Sequence, residues 1–420
     1  MNIKDKLRQL DKSASSADQD GMISLSGDDY LKDFEHELNV KILREKNSMI
    51  VLKENYYPLY THPFSAKTRD NGYYLANFHR ITLEPAAEEL NLSRTVFIDL
   101  ETTGLSGGTG TYAFLIGLGH IELNHIVVRQ YLLPDFQYEW LLLKQVENIL
   151  KNFDTIVTFN GKSFDIPLLR NRFVLNRMDS VLEDLLHIDI LHLARRLWKT
   201  RLSSCDLGNV EYTILGQERQ NDIPSEMIPQ IYFEYIRKRQ VYLLRDVLEH
   251  NYYDIANLAL LTIYIGQIVD DPLEILTEEQ DLYSLARFYY QNKNYPDAIP
   301  LLENLSQKTK HGDLFTDAIF LLSMSYKKLG QHQQSSKLFQ QLLGKRRDHA
   351  EAIEELAKYY EHREKNYEAA LELVNLSIEN ATILEQLGKY SPVAEIKESL
   401  YYRKKRLERK LAQNINDPSE

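Results

Sequence analysis

The sequence predicts an α/β domain, a mixed sheet flanked by helices, followed by an all-α domain of helical repeats. Three observations carry this expectation. A buried apolar strand ending in a glycine turn, TVFIDLETTG from Thr95, opens a run of strand-like segments. Segments of helical period then alternate with short strands as far as about Gln267. After Pro272 the strand signals stop, and three similar segments of helical period follow one another.

The bulk numbers agree with a folded, multidomain chain. Its 420 residues suit two or three domains, and 43% hydrophobic with 26% charged residues is an ordinary globular composition. No apolar run approaches the ~20 residues needed to cross a bilayer. The first stretch, MNIKDKLRQLDKSASSADQD, lacks the apolar core of a signal peptide. A cytoplasmic protein without membrane association is the expectation. The one cysteine, Cys205, has no partner for an internal disulfide and is read as buried or inert. The formal charge of −11 points away from a protein that lives on phosphate contacts. Any nucleic-acid binding must use local basic patches, or metal ions that screen the acids.

Along the chain, residues 1–22 are polar and expected to be disordered. Residues 23–90 form an N-terminal extension in which SMIVLKENYYPLYTH reads as a strand entering a turn at Pro58. The α/β domain is placed at 91–270. After the first strand, AFLIGLGHIEL and HIVVRQYLL read as two strands joined near Asn124, then YEWLLLKQVENILKN as a helix. DTIVTFNG is a short buried strand, SFDIPLLRNRFVLN opens a helix, and HIDILHLARRLW passes from strand to helix. From Leu202 the chain reads as mostly helical. In the repeat domain, placed at 275–412, Tyr289, Tyr326 and Tyr360 fall at equivalent positions, Tyr295 and Tyr367 match at turns, and Ala298, Ser335 and Ala369 are the small residues. The pattern resembles tetratricopeptide (TPR) hairpins, without their Trp and with Gly330 in only one copy. A basic helix, EIKESLYYRKKRLERKLAQ, caps it.

Chemistry concentrates in the acids. Asp99 and Glu101 sit two apart at a strand end, so both project from one face of the sheet. Like charges so placed repel unless a cation lies between them, and Mg²⁺ or Mn²⁺ suits oxygen ligands. A solvated polar strand end is the plain alternative. Context favours the cation: DLETTGL at 99–105, TFNGKSFDIPLLRNR at 158–172 and HNYYDIANL at 250–258 resemble, in order and spacing, the three motifs of the DEDD exonucleases, the DnaQ-like branch of the ribonuclease H-like superfamily. The resemblance implies a ribonuclease H-like sheet. It further implies that Asp99, Glu101, Asp165 and Asp254 hold two Mg²⁺ or Mn²⁺ ions, and that His250 accepts the proton of the attacking water. His250 lies four residues before Asp254, on one helical face with it. Thr102, Thr103, Gly104 and Leu105, with Asn160, are expected to border the terminal nucleotide. One departure stands out. The family's histidine usually precedes the last Asp by five residues and its tyrosine counterpart by four; here Glu249, read as solvated, holds the five-residue place.

Other basic stretches leave alternatives open. Arg195, Arg196, Lys199 and Arg201 around Trp198 either track a phosphate backbone and stack a base, or form a solvated amphipathic helix. The run Arg237–Arg239 is similar, and Arg403–Arg406 reads as a solvated face. SGGTGT at 106–111 lacks the Lys-Ser/Thr of a P-loop. Beyond the three motifs, LGNVEYTILGQERQNDIPSEMIPQIYFEYIRKRQ and the repeat tail are similar to a bacterial branch of the superfamily. That likeness implies a cytoplasmic DNA-repair exonuclease acting on 3′ ends, with a protein partner, a helicase, held by the repeats. An RNA-processing nuclease and a TPR-like adaptor with a vestigial nuclease fold are the competing readings.

Overall fold

The strand containing Asp99 and Glu101 lies inside a seven-stranded sheet, in a computed structural model that describes residues 29–59, 74–104, 110–219, 222–308 and 312–416. The expected disorder of residues 1–22, and Leu105 with most of SGGTGT, fall outside these residues. The described chain divides into two compact units. One holds the residues up to Arg195 together with Leu202–Asp271; the other holds Arg196–Arg201 and the residues from Pro272 onward.

In the first unit the strands are β1 (Lys41–Glu45), β2 (Ser48–Pro58), β3 (Tyr74–Ala76), β4 (Glu89–Asn91), β5 (Thr95–Thr102), β6 (Ala113–Glu122), β7 (His125–Leu132), β8 (Thr155–Thr158) and β9 (Leu186–Asp189). The large sheet runs β1-β2-β7-β6-β5-β8-β9, while β3 and β4 pair separately. Neighbours from β1 to β5 are antiparallel, and β5-β8 and β8-β9 are parallel. The β6–β7 hairpin turns at Leu123 and Asn124, both with positive φ, which explains the asparagine at the tip. The sheet reaches back beyond residue 91, because β2 pairs along β7 and brings β1 with it.

The helices of more than five residues here are α1 (Asp29–Leu38), α2 (Glu139–Leu150), α3 (Asp165–Leu175), α4 (Ile190–Trp198), whose residues from Arg196 on count with the second unit, α5 (Ile228–Lys238) and α6 (Arg245–Asp270). One sheet face, bearing Ile98, Leu100 and Phe114, packs on α2, α3 and α5 through Leu142, Phe173 and Tyr232. The other face receives α6. Gly117 and Gly119 make this possible: a Cβ at Gly117 would fall 2.4 Å from Asn251 Oδ1, and one at Gly119 would fall 2.4 Å from Ile255 Cγ2. The helix is long and apolar enough to cross a membrane, but it is mostly buried inside the unit. After Leu202 most described residues as far as Gln267 are helical, with a break after Leu215. Gly216 has φ +66 and ends a short helical stretch, and the described residues up to Pro224 are not helical.

The second unit is all helical: α7 (Glu279–Gln291), α8 (Tyr295–Lys308), α9 (Asp313–Lys328), α10 (His332–Lys345), α11 (Ala350–Tyr359), α12 (Tyr367–Gln386) and α13 (Lys397–Asn416). From α7 to α12 each helix packs on the next, which with short connections makes successive hairpins. The small residues Ala298 and Ser335 are buried three positions into α8 and α10, but in the third hairpin Ala370, not Ala369, is the fully buried one. A π-turn at Tyr360–Glu364 adds one residue before α12 and shifts the register.

Two basic stretches depart from expectation. Trp198 is fully buried, Arg196 lies over the Phe288 ring, and Arg201 pairs with Asp281, so neither base stacking by Trp198 nor a freely solvated helix describes this segment. Arg403 and Arg406 are not simply solvated either: both bind the buried carboxylate of Glu361.

Candidate active site

The geometry begins with β5. Its alternation sends Ile98 and Leu100 into the core and turns Asp99 and Glu101 to the α6 face, where both line a cavity of about 540 Å³. This cavity lies at the carboxyl ends of β5 and β8, where α/β sheets commonly form crevices. Asp165 reaches it from the first turn of α3, and His250 and Asp254 reach it from successive turns of α6. All five of the expected catalytic side chains therefore line one cavity. Single ligand atoms of Glu101, His250 and Asp254 lie within 4.8 Å of one another.

A set of polar side chains holds these residues. Asn251 donates through Nδ2 to Asp99 Oδ2 at 2.7 Å, and its own Oδ1 accepts from Gln130 Nε2 at 2.9 Å. Gln130 also donates to the Leu248 carbonyl, which fixes its orientation. Arg219 donates from Nη2 to Asp254 Oδ1 at 2.5 Å and to Glu211 Oε1 at 2.6 Å. His250 Nδ1 lies 2.7 Å from Asp222 Oδ1, and its Nε2 lies 3.3 Å from Asp254 Oδ2. Asp189, at the end of β9, accepts from the backbone N–H groups of Asn160 and Lys162 and so fixes the turn after β8. Asn160 has φ +66, a conformation asparagine tolerates better than most residues.

Burial and mutual repulsion set the electrostatics. Asp99 is pushed up to about 7 by burial and by the charge of Asp254, against the pull of His250 and Asn251. Glu101 and Asp165 are raised well above the usual carboxylate range, first by burial and then by neighbouring acids. Glu211 rises to about 7 through burial despite Arg219. His250 moves the other way from an ordinary buried histidine. Burial opposes its charge, but the Asp222 hydrogen bond and the Asp254 field outweigh it and raise its pKa.

This donor set fits a hard divalent cation. Carboxylate oxygens from three segments meet in one cavity, and Asp99, Glu101 and Asp165 are raised there first by burial and then by neighbouring acids, so a cation that replaces the lost water would favour their charged forms. The other expectations divide. Thr102 and Asn160 line the cavity, whereas the Thr103 hydroxyl accepts from Tyr112 N at 2.9 Å, in the turn that leads to Gly104. Glu249 is exposed, as its solvated reading requires. Cys205 is half-buried and lines the cavity, so it is not sealed in a core.

Residues that pattern reading missed are Gln130, Asp189, Glu211, Arg219, Asp222 and Asn251. Two left a trace: Asn251 is a polar side chain within an apolar helix, one position from His250, and Gln130 interrupts an apolar strand. For Arg219 and Asp222 the local sequence carries no such mark.

Comparison with known proteins agrees with this picture. Residues 96–265 match a family model described as RNase_H superfamily. The chain is also 33% identical over 307 residues, 72% of its own length and 73% of the other, to the Bacillus subtilis (strain 168) protein named "Uncharacterized protein YprB".

Proposed function

We propose that this chain, which belongs to the RNase_H superfamily, is a DEDD-type exonuclease that hydrolyses DNA from 3′ ends in repair. The observation that carries the reading is the meeting of Asp99, Glu101, Asp165, His250 and Asp254 around one cavity. Membership of the superfamily points to nucleic-acid hydrolysis. The step to DNA, to 3′ polarity and to repair rests on the motif resemblance. Asp99, Glu101, Asp165 and Asp254 are the residues that would hold two Mg²⁺ or Mn²⁺ ions. When bound, these ions supply Lewis acidity and neutralise charge on the phosphate.

The chain's own groups do the rest. His250 accepts the proton of the attacking water at Nε2, a task suited to an imidazole near neutral pH. Asn251 and Arg219 keep Asp99 and Asp254 oriented, so little reorganisation is needed when substrate arrives. Phe164 is 56% exposed and lines the cavity beside Asp165, where its ring offers a stacking surface for a base. Arg195, exposed and on the same cavity wall, supplies a cation for the phosphate backbone of an otherwise acidic protein. The helical hairpins serve as the docking platform for a protein partner.

The test is digestion of end-labelled single-stranded and duplex DNA and RNA with Mg²⁺ or Mn²⁺. Stepwise shortening of DNA from the 3′ end is expected. Preferential loss of RNA would move the reading to RNA processing, and no hydrolysis of either polymer would leave an adaptor with an inactive nuclease fold.

A further inference from the structure

We infer that Asp222 is a positioning residue for His250, fixing the imidazole so that its Nε2 edge faces the acids. The inference rests on the reading of His250 as proton acceptor and deepens it.

Asp222 packs against α6, where its Oδ1 lies 2.7 Å from His250 Nδ1. An ionised carboxylate only accepts hydrogen bonds, so Nδ1 must be the protonated nitrogen. In the neutral ring Nε2 is then left with its lone pair, the form a proton acceptor needs. Nε2 lies 3.3 Å from Asp254 Oδ2 and 3.4 Å from Ser225 Oγ, and His250 lines the cavity. The Ser225 contact is long and gives little hold on the ring.

Asp222 is itself anchored without help from substrate. Its Oδ1 accepts from the Ile223 N–H at 3.0 Å, and Arg219 Nη1 stands 3.4 Å from its Oδ2. Arg219 is in turn tied to Asp254 and Glu211. Asp222 and Arg219 thus orient the imidazole and the neighbouring acid. Asp222 does not line the cavity, so it acts through His250 and not on the substrate.

The test uses the full chain as wild type, Asp222→Asn and Asp222→Glu. Imidazole ¹⁵N NMR of His250 reads the tautomer, electron paramagnetic resonance of free Mn²⁺ reads metal affinity, and single-turnover digestion of DNA reads the chemical step. Wild type should show the Nδ1–H form. In Asp222→Asn the amide can donate to Nδ1 and reverse the tautomer. Hydrolysis should then fall by about 10- to 100-fold, with Mn²⁺ affinity and KM for DNA within about twofold of wild type. Asp222→Glu should recover part of the rate. An Nε2–H tautomer in wild type overturns the inference, as does a wild-type rate in Asp222→Asn. A rate loss matched by an equal loss of Mn²⁺ affinity also overturns it, because Asp222 would then act on the ligand set. Wild type that shows the Nδ1–H form and no hydrolysis overturns the nuclease reading while supporting the grip of Asp222 on His250.

Discussion

Each compact unit buries acidic side chains, and Glu361 in one and the acids around Asp99 in the other are treated in opposite ways. In the helical unit the Glu361 side chain is fully inaccessible, and Arg403, Arg406 and Lys410 all reach it from α13. Burial alone would raise its pKa, but these cations overcome that and hold it down to about 2. In the α/β unit Asp99, Glu101 and Asp165 are pushed upward by burial and by neighbouring acids. The contrast separates two purposes. An acid whose counter-charges come from its own chain is part of the architecture. Acids left in excess cost stability until something from outside neutralises them.

This contrast can be broken by experiment. The largest expected effect is on catalysis. Asp99→Ala should fold and lose hydrolysis by about 1,000-fold or more, the several kcal/mol expected when a metal-holding carboxylate is removed. Digestion of end-labelled DNA measures it, and undiminished cleavage by a purified variant would place the chemistry elsewhere. Next comes Glu361→Gln, which strands three cations around a neutral amide. The helical unit should lose about 3 kcal/mol, read by denaturant unfolding. Glu101→Gln in EDTA should do the reverse and raise the unfolding midpoint, since it removes repulsion.

Added Mn²⁺ should stabilise wild type by about 2.7 kcal/mol at 100 times its Kd, and Asp99→Ala much less. A thermal shift series measures this, and equal shifts in both proteins would mean that the ion binds away from Asp99. A last prediction concerns the pH dependence without metal. The folded pKa of Asp99, about 7, lies above its usual 3.8. Its contribution is therefore complete below about pH 4 and is lost as pH rises through about 7. For Glu361 the folded pKa of about 2 lies below the usual 4.5, so its contribution is present above about pH 4.5 and is lost as pH falls through about 2. Hydrogen exchange by mass spectrometry in EDTA should show the segments around Asp99 loosening from pH 5 to 8 and those around Glu361 loosening in acid. Parallel behaviour of the two units would undo the contrast.

Much of the architecture was legible as local pattern. The β6–β7 hairpin, the short strand β8, the helix opening at Asp165 and the passage from β9 into α4 each announce themselves within about a dozen residues, because side-chain period is a property of neighbours in the chain. The acids were legible for the same reason. Asp99 with Glu101 on a strand, and His250 with Asp254 on a helix, share a face by spacing alone.

The supports around those acids were not legible, and distance explains why. Asn251 meets Asp99 across 152 residues of chain, and Gln130 meets Asn251 across 121. Contacts of that kind follow from how α6 settles on Gly117 and Gly119, and no period or spacing encodes them. The same holds for β2 joining β7, for Trp198 turning inward, and for the π-turn that moved the small residue from Ala369 to Ala370. Local chemistry chose the elements and the reactive groups. Packing between distant segments chose their partners, because the cost of burying a charge or an amide is known only once the chain has closed around it.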